Sequence, residues 1–147
     1  MNKIIIADYG AGNLGKTSSL RVVFEKLKTT YPGARIEKYT DTGDIRAVFH
    51  LKEGIRIGME TQGDPRSRMP GSMDLFVQEA CDIIITACRT KGDTIQKVYE
   101  LRDKHGYEII WAQHIISSAG TNSPALLNEI YAGAVQTLIR EVISGNL

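Results

Sequence analysis

The glycine-rich segment GAGNLGKT, Gly10 to Thr17, lies directly between a strand-like run and a helix-like run, and this junction constrains the fold more than any other feature of the chain. Upstream, Lys3 to Tyr9 reads KIIIADY, the pattern of a strand buried on both faces. Downstream, from Lys16 to about Lys28, Leu20, Val23, Phe24 and Leu27 fall on one face of a predicted helix, which Tyr31-Pro32-Gly33 terminates. A loop in that position must turn tightly and expose its backbone, and Gly10, Gly12 and Gly15 permit both.

The same alternation continues along the chain. Strands are expected at Arg35 to Thr40, Arg46 to Leu51 and Ile55 to Glu60, joined by the turns Asp41-Thr42-Gly43-Asp44 and Lys52-Glu53-Gly54 into a meander. TQGDPRSRMPG, Thr61 to Gly71, has no apolar periodicity and reads as a long mobile loop. A short helix with Ser72 as N-cap, the buried strand Asp82 to Ala87 and a helix from Lys91 to His105 closed by Gly106 come next. That helix turns Ile95, Val98, Tyr99 and Leu101 inward. Glu108 to Ile115 forms a strand, and Ser123-Pro124 opens a last helix whose apolar stripe is Leu127, Ile130, Tyr131, Ala134, Val135, Leu138 and Val142. Nearly all-apolar strands alternating with helices predict one domain over residues 1–147. Its fold class is a three-layer α/β/α sandwich, mostly parallel, with an antiparallel hairpin at one edge.

Charged residues make up 24% of the chain yet sum to only +1, so no basic surface for nucleic acid is indicated. No run is long and apolar enough for a membrane span, and a cytoplasmic location is expected. Cys81 and Cys88 lie near the two ends of one strand, about 23 Å apart at the usual rise per residue, too far to bridge. With no CxxC pair and three scattered histidines, no zinc ligand set is present.

The chemistry lies in the first loop. Gly10-Ala11-Gly12-Asn13-Leu14-Gly15-Lys16-Thr17 satisfies GxxxxGK[ST], in which backbone N–H groups and the helix N-terminus cradle phosphates. Lys16 is expected to supply a point charge to the β and γ phosphates and the Thr17 hydroxyl to bind Mg²⁺, with Ser18 completing the binding segment. On these residues the chain resembles the P-loop NTPase superfamily, and the resemblance in element order extends over almost its whole length. GMETQGD, Gly58 to Asp64, together with CDIIITACRTKGDT, Cys81 to Thr94, also resembles a group of small uncharacterised bacterial P-loop ATPases. The resemblance implies an NTP ligand with Mg²⁺. ATP is expected over GTP, because Thr90-Lys91-Gly92-Asp93 and Ser117-Ser118-Ala119 match guanine-reading motifs only in letters and follow the wrong strands.

A phosphate loop needs a second carboxylate at a neighbouring strand end. Glu60 ends the strand IRIGME, and its ExxG stretch resembles the DxxG switch of small GTPases, so it is the first candidate for metal and water. Asp64 is the alternative, and Asp8, inside the first strand, points either into or away from the site. Arg66 and Arg68 in the following loop, and Arg89 beyond the carboxyl end of DIIITA, are candidates to contact a γ phosphate or an acidic substrate. His114 is expected to be packed, His50 and His105 to be surface residues, and Trp111 to be core. The leading expectation is Mg²⁺-dependent NTP hydrolysis catalysed by Lys16 with Glu60 or Asp64, aided by Arg89. The alternatives are a small kinase with a small acceptor, and a nucleotide-gated module that recruits a protein partner.

Overall fold

The computed structural model describes residues 1–10, 16–117 and 124–147. The first strand, β1 (Ile4–Tyr9), is central because its β-branched side chains fill both faces, and all but Tyr9 are buried. After it come α1 (Lys16–Thr30), β2 (Arg35–Asp41), β3 (Ile45–His50), β4 (Arg56–Glu60) and α2 (Met69–Gln78). Then follow β5 (Ile83–Cys88), α3 (Asp93–His105), β6 (Glu108–Gln113) and α4 (Pro124–Ile143).

These strands form one six-stranded sheet in the order β2-β3-β4-β5-β1-β6. β4, β5, β1 and β6 are mutually parallel, whereas β3 runs antiparallel to both β2 and β4. The meander therefore occupies one edge, and its β2–β3 turn points the same way as the carboxyl ends of β4, β5 and β1. Alternation divides β1 between two cores. Ile4 and Ile6 pack with Leu20, Val23 and Leu27 of α1 and Tyr131, Val135 and Ile139 of α4. Ile5 and Ala7 pack with Met69, Met73 and Phe76 of α2 and Val98 and Leu101 of α3. Helices on both faces of a mostly parallel sheet make a three-layer arrangement. No helix among the described residues is long and apolar enough to cross a membrane.

Several local expectations need correction. Ser72 is not an N-cap. The helix begins earlier, at Met69 with Pro70 in its first turn, and Ser72 lies buried within it. The 61–71 stretch is accordingly shorter as a loop than its composition suggests, and it is held by hydrogen bonds from Gln62, Arg66 and Arg68. Trp111 is not core: β6 is an edge strand, and the indole is 41% exposed, edge-on to Tyr9 and Tyr99. His50 and His105 are half-buried, and His50 stands 3.2 Å from Glu37. On α4 the buried face is Tyr131, Ala132, Val135, Ile139 and Val142, which leaves Ile130 and Ala134 exposed. Ser123, the expected cap of that helix, lies outside the described residues.

Candidate functional site

The carboxyl ends of β1, β4 and β5 and the β2–β3 turn converge on a polar cavity of about 140 Å³. Its floor is the start of α1. Gly10 leaves β1 with its N–H donated to Cys88 O at 3.3 Å, which fixes the loop's entry against β5. Of the predicted phosphate-binding residues, Ala11, Gly12, Asn13, Leu14 and Gly15 lie outside the described residues. The residues on either side are placed. Lys16 is only 7% exposed, lines the cavity and donates from Nζ to Gly10 O at 3.1 Å. Burial draws its ammonium below the ordinary lysine value of 10.5; Asp8 opposes that shift, Arg89 adds to it and Asp64 opposes it. Thr17 lines the cavity, and Ser18 is exposed in the first turn of the helix.

Facing Thr17 is Asp44, which from sequence alone is only part of the turn Asp41-Thr42-Gly43-Asp44. Its Oδ1 accepts from Thr17 Oγ1 at 3.1 Å and from Thr61 Oγ1 at 2.9 Å. The Thr61 hydroxyl in turn accepts from Ile45 N–H at 2.9 Å, so its proton is directed to Asp44. The turn itself is clamped from two sides. Arg21 of α1 donates to Asp41 and to Gly43 O, and Arg68 donates to Asp44 O at 2.9 Å and to Thr42 Oγ1 at 3.3 Å. Asp44 is thus preorganised although it belongs to a hairpin turn.

Glu60 occupies a different position. Its carboxylate is fully buried and takes Arg68 Nε at 2.8 Å, Arg68 Nη2 at 3.2 Å, Ser72 Oγ at 2.6 Å and Gln62 N–H at 3.1 Å. Those four donors use the lone pairs a carboxylate offers, and the side chain does not line the cavity. Glu60 acts on the site through Arg68, which holds the turn that carries Asp44.

Asp64 stands at the cavity's rim, where Arg89 Nη2 and Nε meet its Oδ1 at 2.9 and 3.2 Å. The intervening backbone leaves no space for a larger residue at position 63. A Cβ on Gly63 would sit 2.6 Å from the Ala87 carbonyl carbon and 2.7 Å from its oxygen. Arg66 is exposed, and its N–H goes to Asp93 Oδ2 at 3.2 Å, while Arg89 N–H goes to Thr94 Oγ1 at 3.0 Å. Asp93 and Thr94, at the end of the TKxD-like stretch, therefore anchor the two loops that frame the rim.

Asp8 turns away from the cavity toward α1. Its Oδ2 accepts from Ser19 Oγ at 3.1 Å, and His114 Nδ1 lies 3.4 Å from Asp8 Oδ1 and from Ser19 Oγ. An Asp, a Ser and a His therefore meet, but all three are buried, and Ser19 Oγ is also 2.9 Å from Lys16 O. The cluster braces the first turn of α1 from below. Cys88 is likewise inert as a nucleophile, since burial pushes its thiol up to about 12.

No group of three or more His, Cys, Asp or Glu gathers as a metal cage among the described residues. Mg²⁺ needs none when substrate phosphates and water complete its shell. The Thr17 hydroxyl, which lines the cavity, is an oxygen donor of the kind Mg²⁺ takes.

Fold and cavity together define a class: an open, mostly parallel α/β sheet with a polar cleft beyond the carboxyl ends of its strands, the location at which such sheets bind ligands. No protein-family model, curated protein or solved structure matches the chain.

Proposed function

We propose that the chain is a Mg²⁺-dependent nucleoside triphosphatase acting on ATP, with the terminal phosphates held at the start of α1. The observation that carries this reading is the meeting in one cavity of Asp44 with Lys16 and Thr17, the last two residues of a GxxxxGK[ST] sequence. A lysine ammonium with few water contacts is an unfavourable arrangement in the free protein, and a polyanion beside it relieves that cost.

Each residue has a role set by its place. Lys16 neutralises charge that grows on the phosphoryl oxygens, and the N-terminus of α1 adds the positive end of its dipole. Thr17 keeps its proton, donated to Asp44, and has a lone pair left to offer. Asp44 orients the attacking water and takes up its proton as the bond between the terminal phosphorus and the bridging oxygen breaks, giving nucleoside diphosphate and phosphate. Mg²⁺, when bound, would be held by the Thr17 hydroxyl and would offset negative charge on the phosphates. At the rim, an incoming phosphate competes with Asp64 for Arg89. Glu60 is a positioning residue in this account.

The test is phosphate release from Mg-ATP by the natural protein, Lys16→Ala and Asp44→Asn, together with binding of a non-hydrolysable ATP analogue. Turnover that Lys16→Ala abolishes and Asp44→Asn cuts sharply, with analogue binding retained in Asp44→Asn, supports the reading. Failure of the natural protein to bind either nucleotide overturns it.

A further inference from the structure

The two edges of the sheet differ in a way that folding alone does not require. A free edge presents unpaired N–H and C=O groups, and proteins ordinarily protect it with charges or a bulge. β2 follows that rule. It carries Arg35, Glu37, Lys38 and Asp41, and its register to β3 shifts between Glu37 and Thr40, where Lys38 adopts a left-handed φ of 55°. β6 does not. From Ile109 to Asn128 the sequence has no Asp, Glu, Lys or Arg, in a chain in which such residues make up 24%.

Past Glu108 the edge is uncharged and also apolar. Trp111 is 41% exposed, Ile115 38%, Ile116 54% and Ile130 54%. Glu108 and His114 send their N–H groups to Lys3 O and Tyr9 O of the β1 side. Alternation then turns the amides of Ile109, Trp111 and Gln113 outward. On the neighbouring α4, Ile130, Ala134 and Thr137 form an exposed stripe at helical spacing, opposite the buried Tyr131, Val135 and Ile139.

We infer that this surface is an interface with a second copy of the chain, formed by antiparallel pairing of β6 with β6 about a twofold axis and flanked by Ile115, Ile116 and Ile130. Charge selects this occupant. A twofold contact places each surface against itself, so like charges would repel, and an uncharged surface meets its own copy without that penalty. Area agrees: side chains of this size present on the order of 200 Å² each when free, so the four exposures leave roughly 400 Å² of apolar surface. That is about half of the ~800 Å² per partner in a standard interface, and the paired strand backbones and the remaining exposed side chains of β6 add to it.

Light scattering during size exclusion of the full chain, at about 100 μM so that a contact with a Kd near 10 μM is mostly formed, reads the outcome. The expected mass is twice the 16.3 kDa of one chain. Ile116→Lys and Ile130→Glu, both at exposed positions, are each expected to return it to one chain with an unchanged circular dichroism spectrum, whereas Tyr39→Lys at the β2 edge keeps the dimer. A single-chain mass for the natural protein overturns the inference. So does a dimer that survives both substitutions, or one that only Tyr39→Lys dissociates, since the contact would then lie elsewhere.

Discussion

The Thr17 hydroxyl donates to Asp44 Oδ1 at 3.1 Å, joining the start of α1 to the β2–β3 turn. This contact makes Asp44, rather than Glu60 or Asp64, the carboxylate best placed to act with the proposed phosphate site. Asp44→Asn keeps an acceptor oxygen for both Thr17 and Thr61, so its effect on stability should stay within about 1 kcal/mol. Loss of the carboxylate's basicity should lower kcat by roughly 10²- to 10⁴-fold. Thermal unfolding and phosphate release on the same preparation measure the two effects separately.

The Glu60–Arg68 pair makes the opposite prediction. Arg68→Met leaves a carboxylate that is fully buried without its cation, and should destabilise the protein by about 3 kcal/mol, measured by urea unfolding. Glu60→Gln retains acceptor capacity for Ser72 and Gln62 and should be milder. Well below its melting temperature Glu60→Gln should keep kcat within about tenfold of the natural value, because Glu60 only positions. A loss as deep as that of Asp44→Asn would place Glu60 in the chemistry after all.

Lys16 links pH to stability. Its folded-state pKa lies below the ordinary 10.5, so between those two values the unfolded chain binds more protons than the folded one, and stability rises with pH across that window. Lys16→Met removes the buried charge. It should raise the melting temperature of the nucleotide-free protein at neutral pH, flatten the alkaline rise, and abolish stabilisation by Mg-ATP. Melting curves from pH 7 to 11 check all three.

Gly63→Ala tests the seating of the 61–68 segment on β5. With a Cβ only 2.6 Å from the Ala87 carbonyl carbon, either the strand end or the segment must move, at a cost of about 1–3 kcal/mol. Because Asp64 and Gln62 flank the clash, the affinity for nucleotide should fall more than ordinary surface substitution would cause.

The layers and most elements were legible because periodicity reports burial directly: KIIIADY and DIIITA can only be interior strands. Trp111 and Ile130 were misassigned for a physical reason, since an apolar residue on an edge strand or outward helix face looks the same in sequence as one in the core. Asp44 was hidden by chemistry. Aspartate favours turns for its side-chain hydrogen bonds, so DTGD reads as a turn whether or not it faces a ligand. Only the parallel pairing of β4 with β5 brings that turn to the same end as β1. Glu60 was found because it ends a strand, but its partner Arg68 is eight residues on and across a loop, a pairing that no spacing rule announces.

Phosphate release from Mg-ATP by Asp44→Asn, beside the natural protein and Lys16→Ala, decides whether Asp44 is the base. The natural protein should show measurable turnover, Lys16→Ala none, and Asp44→Asn a rate reduced at least a hundredfold with undiminished analogue binding, in keeping with loss of a general base. Turnover in Asp44→Asn equal to that of the natural protein would contradict that role and move the catalytic carboxylate elsewhere.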